Sequence, residues 1–234
     1  MTDLTHNFAR INGLDVHYVE EGEGLPIVLC HGFPHTWYSW SRQIPVLAKA
    51  GFRVIAPDMR GMGETEAPDS PKDYGIDCIT ADLIGLLDHL GLEKAVFSGL
   101  DFGVFACYDL AMLHPERVIA VIGLENPSAP HNPEVPPLTE YKAMAENHFL
   151  HIEYFRPEGP ADAALNAAPQ EFLSKVFYAL SGDYDFGQVM AHPPGTTYLD
   201  ALPSDVPPLP WSWLSEEDLE QYVQSYSRSG FTGG

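Results

Sequence analysis

Short apolar runs alternate with helical periodicity along the first half of the chain, from residue 5 to residue 125. Apolar residues recur on one face between Ile76 and Leu90, and Gly91 then ends the pattern, so this segment is predicted to be a helix. Several shorter runs are apolar at every position, which is typical of parallel strands buried beneath helices. The predicted strands are Phe8–Ile11, Val16–Val19, Pro26–Cys30, Arg53–Ala56, Ala95–Ser98 and Val118–Leu124. This alternation predicts an α/β fold with a mostly parallel, doubly wound sheet.

The second half of the chain has a different sequence pattern. Two proline-rich stretches interrupt it, and the apolar residues between them recur with helical periodicity. One helix is predicted from Pro169 through Leu180, and another begins at the capping sequence that opens with Ser215. We therefore expect two parts: an α/β core in residues 1–125 and an inserted, mostly helical cap in residues 126–234.

Composition and charge exclude several classes of function. Apolar residues make up 45% of the 234 residues, which is enough for a packed core. Twelve Lys and Arg residues against 33 Asp and Glu give a formal net charge of −21, and so acidic a surface repels phosphate backbones and anionic lipids. No apolar run approaches the about 18–20 residues that cross a bilayer. We expect binding to neither nucleic acids nor membranes.

Cysteine and histidine usage bears on compartment and cofactors. The cysteines Cys30, Cys78 and Cys107 lie in apolar runs and cannot all pair, so buried free thiols and a cytoplasmic protein are expected. The first ten residues show no signal-peptide pattern. Cys-x-x-Cys and His-Glu-x-x-His motifs are missing, and the spacing of His148 and His151 is more often incidental than metal-binding. We therefore expect no metal and no other cofactor.

The strongest chemical signal in the sequence is the segment Gly99-Leu-Asp-Phe-Gly103. An apolar strand leads into it and an apolar helix with small residues follows it, which is the pattern of a nucleophile elbow. The flanking glycines allow a sharp turn that raises one side chain above the sheet, and here that side chain is Asp101. The alternative interpretation is a solvent-exposed aspartate in an ordinary tight turn.

An aspartate at this position favours different chemistry from a serine. Attack by serine on a saturated carbon would leave an ether that water cannot remove. A carboxylate is ionised at neutral pH, since the usual pKa of Asp is about 4, and its attack leaves an ester that an activated water can hydrolyse. The expected substrates carry an electrophilic sp³ carbon, as in a strained epoxide or a carbon–halogen bond.

A second motif, His31-Gly-Phe-Pro34, directly follows a predicted strand. In enzymes with a nucleophile elbow, the loop after this strand supplies one backbone N–H of the oxyanion hole, and the residue after the nucleophile supplies the other. The predicted donors are the N–H groups of Phe33 and Phe102, and a cis bond before Pro34 would fix the loop. We expect His31, Pro34 and Trp37 to contact the bound substrate.

These two motifs, together with Ala56-Pro-Asp-Met-Arg-Gly-Met-Gly63, resemble the epoxide hydrolases of the α/β-hydrolase fold. The resemblance extends over the whole chain, including the cap. It implies a two-step hydrolysis of a small-molecule epoxide. Asp101 opens the ring and forms an ester, and a histidine-activated water then releases a vicinal diol.

Phe102 departs from the pattern of this family and of its neighbours. Epoxide hydrolases and haloalkane dehalogenases usually have Trp here, and in the dehalogenases its indole N–H helps to hold the leaving halide. Fluoroacetate-type dehalogenases have Arg, which binds the substrate carboxylate. Phenylalanine offers neither group, which weakens both dehalogenase interpretations. A haloalkane or fluoroacetate-type dehalogenase on the same scaffold is the alternative function.

The resemblance also implies the remaining site residues. Cap tyrosines of the family donate a proton to the departing oxygen, and His151 stands where the first of them is usual; imidazole can also donate. Tyr154, one turn along the same face, is the fallback donor. Glu125 follows the sixth predicted strand and corresponds to a triad acid at the cap entrance, with a structural role in capping a helix or loop as the alternative.

The catalytic histidine of the family has no counterpart among the ten histidines of this sequence. In the family it follows the last core strand, beyond the cap, whereas this sequence reaches Gly234 at what we interpret as the end of the cap. We therefore expect the chain to lack the C-terminal core strands and the catalytic histidine. A second alternative is an inactive fragment that only traps substrate on Asp101, and homodimerisation is left open.

Overall fold

The structure is a computed structural model that describes residues 4–128 and 134–234. Within these ranges, no helix is long and apolar enough to cross a membrane. Part of the first proline-rich stretch, including Pro130 and Pro133, lies outside the described residues.

The chain divides into two compact units, which we call the α/β unit (residues 1–128 and 228–234) and the helical unit (residues 129–227). The first boundary lies close to the one predicted after residue 125. The last seven residues differ from the prediction, because they belong to the α/β unit. There Arg228 pairs with Glu64, and these two side chains lie 3.2 Å apart.

The α/β unit is built on one six-stranded sheet. Its strands are β1 (Thr5–Ile11), β2 (Leu14–Glu21), β3 (Leu25–Cys30), β4 (Phe52–Pro57), β5 (Ala95–Leu100) and β6 (Val118–Leu124). The strand order is β1-β2-β4-β3-β5-β6, and β3, β4, β5 and β6 are parallel. The first two strands form an antiparallel hairpin, and β2 joins β4 in antiparallel fashion. The mostly parallel sheet was predicted, whereas its antiparallel edge was not specified.

Helices cover both faces of this sheet, as the doubly wound prediction requires. They are α1 (Ile44–Lys49), α2 (Ile76–His89) and α3 (Phe102–Leu113). Side chains alternate between faces along each strand, so Val28 packs in the cluster with Leu86 and Leu110 of α2 and α3. Ile27 packs on the opposite face with Ile44 of α1. Strands covered in this way have no polar face, which explains their uninterrupted apolar runs.

Strand β6 lies at one edge of the described sheet. Its sequence is apolar throughout and was interpreted as a strand buried on both faces. Among the described strands it pairs with β5 alone, and Ile119, Ile122 and Leu124 are 41%, 45% and 42% exposed.

The connections create a crevice at one end of the sheet. The chain leaves β3 for β4 on one side and then crosses through α2 to β5 on the other side. Ligands of open α/β sheets bind where the strand order reverses in this way, outside the carboxyl ends of the strands. The loop that begins at His31 follows β3, and Asp101 follows β5, so both motifs meet at this crevice.

The helical unit contains seven helices in its described part. They are α4 (Pro137–Ala145), α5 (His151–Phe155), α6 (Pro160–Ala167), α7 (Pro169–Ala179), α8 (Gly187–Met190), α9 (Tyr198–Ala201) and α10 (Glu216–Ser229), the last of which ends in the α/β unit. The helix predicted from Pro169 is confirmed as α7. The predicted capping of α10 is also confirmed, because the Asp218 N–H donates to Ser215 Oγ at 3.0 Å and the Ser215 N–H donates to Asp218 Oδ2 at 2.8 Å.

Candidate active site

Asp101 occupies a sharp turn between β5 and α3. Its backbone has φ 50° and ψ −128°, a conformation that residues other than glycine rarely adopt. A Cβ on Gly99 would lie 2.5 Å from the carbonyl carbon of Gly103, and a Cβ on Gly103 would lie 2.6 Å from the carbonyl oxygen of His31. Strand, turn and helix therefore pack too closely for side chains at either glycine. This is the elbow geometry that the sequence predicted.

The loop after β3 lies directly against this turn. The Phe33 N–H donates to Asp101 Oδ1 at 2.8 Å. A Cβ on Gly32 would lie 2.5 Å from Asp101 Cβ and 2.7 Å from the Phe102 nitrogen, so only glycine allows this approach. The Phe33–Pro34 peptide bond is cis, which confirms the prediction, and Pro34 is buried.

Phe102 is the first residue of α3, and its backbone nitrogen faces the same point. The first N–H groups of a helix have no acceptor within the helix, so they are available to a negatively charged oxygen. The side chain of Phe102 is 51% exposed and carries no hydrogen-bonding group. Any contribution of this residue to anion binding therefore comes from its backbone.

Glu125 follows β6 as Asp101 follows β5. The register pairs Leu100 with Leu124, so the two carboxylates leave neighbouring parallel strands at the same level. Glu125 also has a positive φ of 73°. Partial burial raises the pKa of Glu125, and the negative charge of Asp101 raises it further. Asp101 and Glu125, 24 residues apart in the sequence, thus follow the ends of neighbouring strands.

His31 is fully buried, which corrects the expectation that it contacts substrate. Its Nδ1 lies 2.9 Å from the carbonyl oxygen of Gly32, and its Nε2 accepts the Met59 N–H at 2.9 Å. Nδ1 therefore carries the only ring proton, and the imidazole is neutral. Burial lowers the pKa of His31, although the charges of Asp58 and Asp101 oppose this shift. We assign it to holding the backbone of the loop.

Asp58 is a buried centre of hydrogen bonding that the residue-level prediction missed. Its carboxylate accepts the backbone N–H groups of Trp37 at 2.9 Å and Glu64 at 2.9 Å, and lies 2.7 Å from Nδ1 of His17. It belongs to the motif that starts at Ala56, so the signal was present in the sequence without an assigned role. Asp58 ties the loop after β4 to the loop beside Asp101.

Trp37, which was predicted to contact substrate, packs against aromatic rings of the α/β unit. Its indole packs edge-on against His6 with ring centroids 5.0 Å apart and against His17 at 6.2 Å. It also contacts Tyr38. None of these partners belongs to the Asp101 site, so the ring serves packing here and the backbone N–H serves Asp58.

The helical unit holds His151 and Tyr154 in an aromatic cluster centred on Tyr198. The cluster comprises Phe149, His151, Tyr154, Phe155, Phe172, Phe186 and Tyr198. The imidazole of His151 stacks on Tyr198 with centroids 6.0 Å apart, and Tyr154 meets Tyr198 edge-on at 6.2 Å. Burial raises the pKa of Tyr154, which keeps its phenol protonated. No sequence signal identified Tyr198, because it lies 44 residues after Tyr154.

Comparison with known proteins identifies the family. A family model of the α/β-hydrolase fold matches residues 26–164, which is more than half of the chain. Epoxide hydrolase A of Mycobacterium tuberculosis is 40% identical, over 98% of this chain and 72% of that protein. The chain belongs to the epoxide hydrolases of the α/β-hydrolase fold. The bifunctional epoxide hydrolase 2 of Sus scrofa is a further relative, 37% identical over 98% of this chain, which spans 40% of that protein.

Solved epoxide hydrolase structures have the same fold. The crystal structure of epoxide hydrolase A from Mycobacterium thermoresistibile superposes with a TM-score of 0.91 at 40% identity, covering 99% of this chain and 72% of that one. The epoxide hydrolase from an endophytic Streptomyces gives a TM-score of 0.93 at 33% identity, covering 100% of this chain and 70% of the other. The predicted fold class and the predicted epoxide hydrolase family are therefore confirmed.

Proposed function

We propose that this epoxide hydrolase acts through a covalent ester on Asp101. The observation that carries the proposal is the 2.8 Å hydrogen bond from the Phe33 N–H to Asp101 Oδ1 at a strained elbow. This bond commits Oδ1 to the loop, so Oδ2 is the oxygen that attacks the epoxide carbon. The C–O bond of the ring breaks as the new bond to Oδ2 forms, and the ring oxygen leaves as an alkoxide that needs a proton.

The same donor serves the second half of the reaction. In the ester, Oδ1 is the carbonyl oxygen, and water attack at Cγ moves negative charge onto it. The Phe33 N–H already donates to this atom, and the Phe102 N–H at the start of α3 is the second proposed donor. Donors that are in position before charge develops stabilise the transition state without reorganisation.

We propose His151 as the acid that protonates the alkoxide, with Tyr154 as the alternative donor, and the helical unit as the cap that carries them. Both side chains belong to the aromatic cluster, and both rings pack against Tyr198. The phenol of Tyr154 is protonated at neutral pH, and burial raises its pKa, which makes it a weaker acid than an exposed tyrosine. An epoxide substrate requires such a donor, because the ring oxygen stays attached to the substrate as an alkoxide and must be protonated.

Glu125 is the proposed partner of the histidine that activates water. Its carboxylate can orient an imidazole and stabilise the imidazolium that forms. His31 does not fill this role, because both of its ring nitrogens hold backbone groups. Ester formation requires Asp101, its donors and the acid, whereas ester hydrolysis also requires a base. The two steps are therefore separable by experiment.

Intact-protein mass spectrometry tests the ester directly. After exposure to styrene oxide, we expect a mass gain equal to one whole epoxide, located on the peptide that contains Asp101. We expect Asp101→Asn to abolish the gain and the control Asp109→Asn, within α3 but outside the elbow, to retain it. If diol is released, heavy-oxygen water labels the Asp101 carboxylate, since hydrolysis occurs at Cγ. Diol formation without such labelling contradicts the proposal.

The dehalogenase alternative predicts a different outcome. Fluoroacetate or a haloalkane would then release halide, whereas styrene oxide would give neither adduct nor diol. We expect epoxide attack, because Phe102 supplies neither an indole N–H for a halide nor a guanidinium for a carboxylate. Halide release without any reaction of the epoxide would overturn the proposed mechanism.

We also propose a cytoplasmic location. Cys30, Cys78 and Cys107 are all free, and Cys30 and Cys107 are buried. A hydrogen bond with Cys107 and burial raise the pKa of Cys30, which keeps it a thiol. Thiol counting on the purified protein, unfolded without a reducing agent, should give three free cysteines. A disulfide would count against this location.

A further inference from the structure

Two histidines and a glutamate meet in the α/β unit, away from Asp101. His6 lies on β1 and is exposed, whereas His17 lies on β2 and is fully buried. Glu64 follows β4, and its side chain is 38% exposed. One ring nitrogen of each histidine and one carboxylate oxygen of Glu64 all lie within 4.8 Å of one another. Three ligand-type atoms thus converge at a point that solvent can reach.

Hydrogen bonds fix the orientation of His17. Its Nδ1 lies 2.7 Å from Asp58 Oδ2, and because that carboxylate accepts, Nδ1 donates. The neutral ring then presents the lone pair of Nε2, which faces Nδ1 of His6 at 2.9 Å. Metal-bound histidines are held in this way, with one ring N–H on a carboxylate and the other nitrogen on the metal.

We propose that His6, His17 and Glu64 bind a divalent transition-metal ion such as Zn²⁺ or Co²⁺. Two imidazoles and a carboxylate suit these ions, and water completes the coordination. Bonds of about 2.0–2.2 Å separate tetrahedral ligand atoms by about 3.4 Å, so small side-chain rotations convert the observed spacing. His6 binds through Nδ1 as a neutral ligand: the proton leaves Nδ1 for solvent, and Nε2 takes one up.

Arg228 should lower the affinity of this site for a metal ion. One guanidinium nitrogen lies 3.2 Å from Glu64 Oε2, so it competes for the carboxylate and repels a cation nearby. Loss of Arg228 should therefore strengthen metal binding, whereas loss of Glu64 should weaken it. These opposite signs distinguish a true ligand from a residue that only shapes the local charge.

Metal binding at this cluster should stabilise the folded chain. The three ligands come from β1, β2 and the loop after β4, so the unfolded chain does not hold them together. Asp58 links the cluster to the segment after β3 that contains Phe33, because it contacts both the His17 ring and the Trp37 N–H. The metal is structural in this proposal, and the attack of Asp101 on an epoxide does not require it.

The test uses the tag-free chain after treatment with a chelator. Titration with Co²⁺ alone, followed by visible absorption, should show one equivalent bound with a spectrum of nitrogen and oxygen ligands, and should raise the unfolding temperature. We expect His6→Gln and Glu64→Gln to weaken binding at least about tenfold. Glutamine at position 6 retains a side-chain N–H that can donate to His17. Arg228→Gln should bind more tightly than the natural chain.

The matched control is His114→Gln, because His114 lies 3.6 Å from Glu116 on the surface and forms an incomplete site. It should leave Co²⁺ binding unchanged. Metal-free unfolding temperatures confirm that each variant is folded. Unaltered binding in His6→Gln, equal loss in His114→Gln, weaker binding in Arg228→Gln, or no binding at millimolar Co²⁺ would each overturn the proposal.

Discussion

The elbow around Asp101 and the aromatic cluster around Tyr198 are held together by different kinds of packing. At the elbow, backbone atoms approach so closely that Gly32 and Gly99 admit no side chain. In the cluster, seven rings contact one another at centroid distances of 5.5–6.3 Å, with Tyr198 at the centre. The elbow depends on close backbone packing between two loops, whereas the cluster depends on contacts between side chains of several helices.

This difference predicts how each region responds to substitution. We expect the elbow to tolerate substitution poorly, because any displacement of Asp101 or of a backbone donor directly alters the reacting geometry. An aromatic cluster distributes its contacts over many partners, so it tolerates the loss of a polar atom unless that atom transfers a proton. The rate of ester formation on Asp101 is a common measurement for both regions.

The largest effect is expected at Gly32. Gly32→Ala would bring a methyl group to 2.7 Å from the Phe102 nitrogen and onto the Asp101 side chain. We expect ester formation to slow about 10³-fold, since both the nucleophile and an oxyanion donor are displaced. Gly182→Ala is the control in the helical unit, because no atom lies within 4 Å of its Cβ position. Equal rates in the two variants would show that the elbow has room to relax.

A smaller loss is expected in the cluster, and it identifies the acid. His151→Gln should slow ester formation about 100-fold, because protonation of the alkoxide is lost, whereas Tyr154→Phe should cost less than about tenfold. Tyr184→Phe, outside the cluster, serves as the control. The reverse ranking would assign the proton to Tyr154, and full rates in both variants would remove the cluster from the chemistry.

His35, in the loop that follows β3, should make the stability of the folded protein depend on pH. Burial, with a smaller effect of His31, lowers the pKa of His35 to about 4 from an ordinary value of 6.5. Between these values the unfolded chain takes up a proton that the folded chain refuses, so stability falls as the pH decreases. The slope is at most about 1.4 kcal/mol per pH unit for this group. Urea unfolding between pH 7 and pH 4.5 should show it, reduced in His35→Gln and retained in His89→Gln.

The smallest effect concerns the coupling of the two carboxylates. Asp101→Asn removes a negative charge beside Glu125, so the pKa of Glu125 should fall towards its ordinary value. Carbon-13 titration of the Glu125 carboxyl measures this shift, and Asp109→Asn should leave that pKa unchanged. An unaltered Glu125 titration in Asp101→Asn would show that the side chains are not close in solution.

Several candidate site residues were predictable because they lie in the loops that directly follow strands. Asp101, Phe33, Phe102 and Glu125 follow from an elbow, an oxyanion loop and the carboxyl end of a strand. His31 was predicted to contact substrate and is instead buried, because a motif does not tell which side of a loop a ring occupies. The assignment of Glu125, and the proton donor in the cluster, stay predictions until the experiments above are done.

The same limit explains why local patterns predicted no metal ligands. His6, His17 and Glu64 are separated by 11 and 47 residues, so no ligand-spacing motif contains them. The hairpin of β1 and β2 pairs His6 with Val19 and brings His17 close by, while the loop after β4 returns Glu64 to the same point. Only the pairing of strands creates this cluster.

The sequence by itself determined most of the strands and helices and the sharp turn at Asp101, because these depend on side-chain periodicity and on sterics within a few residues. The tertiary structure decided which histidines are buried and which rings and proposed metal ligands, distant in sequence, lie close together. Those properties depend on neighbours far along the chain, and the proximity of two side chains is fixed only once the sheet and helices have packed.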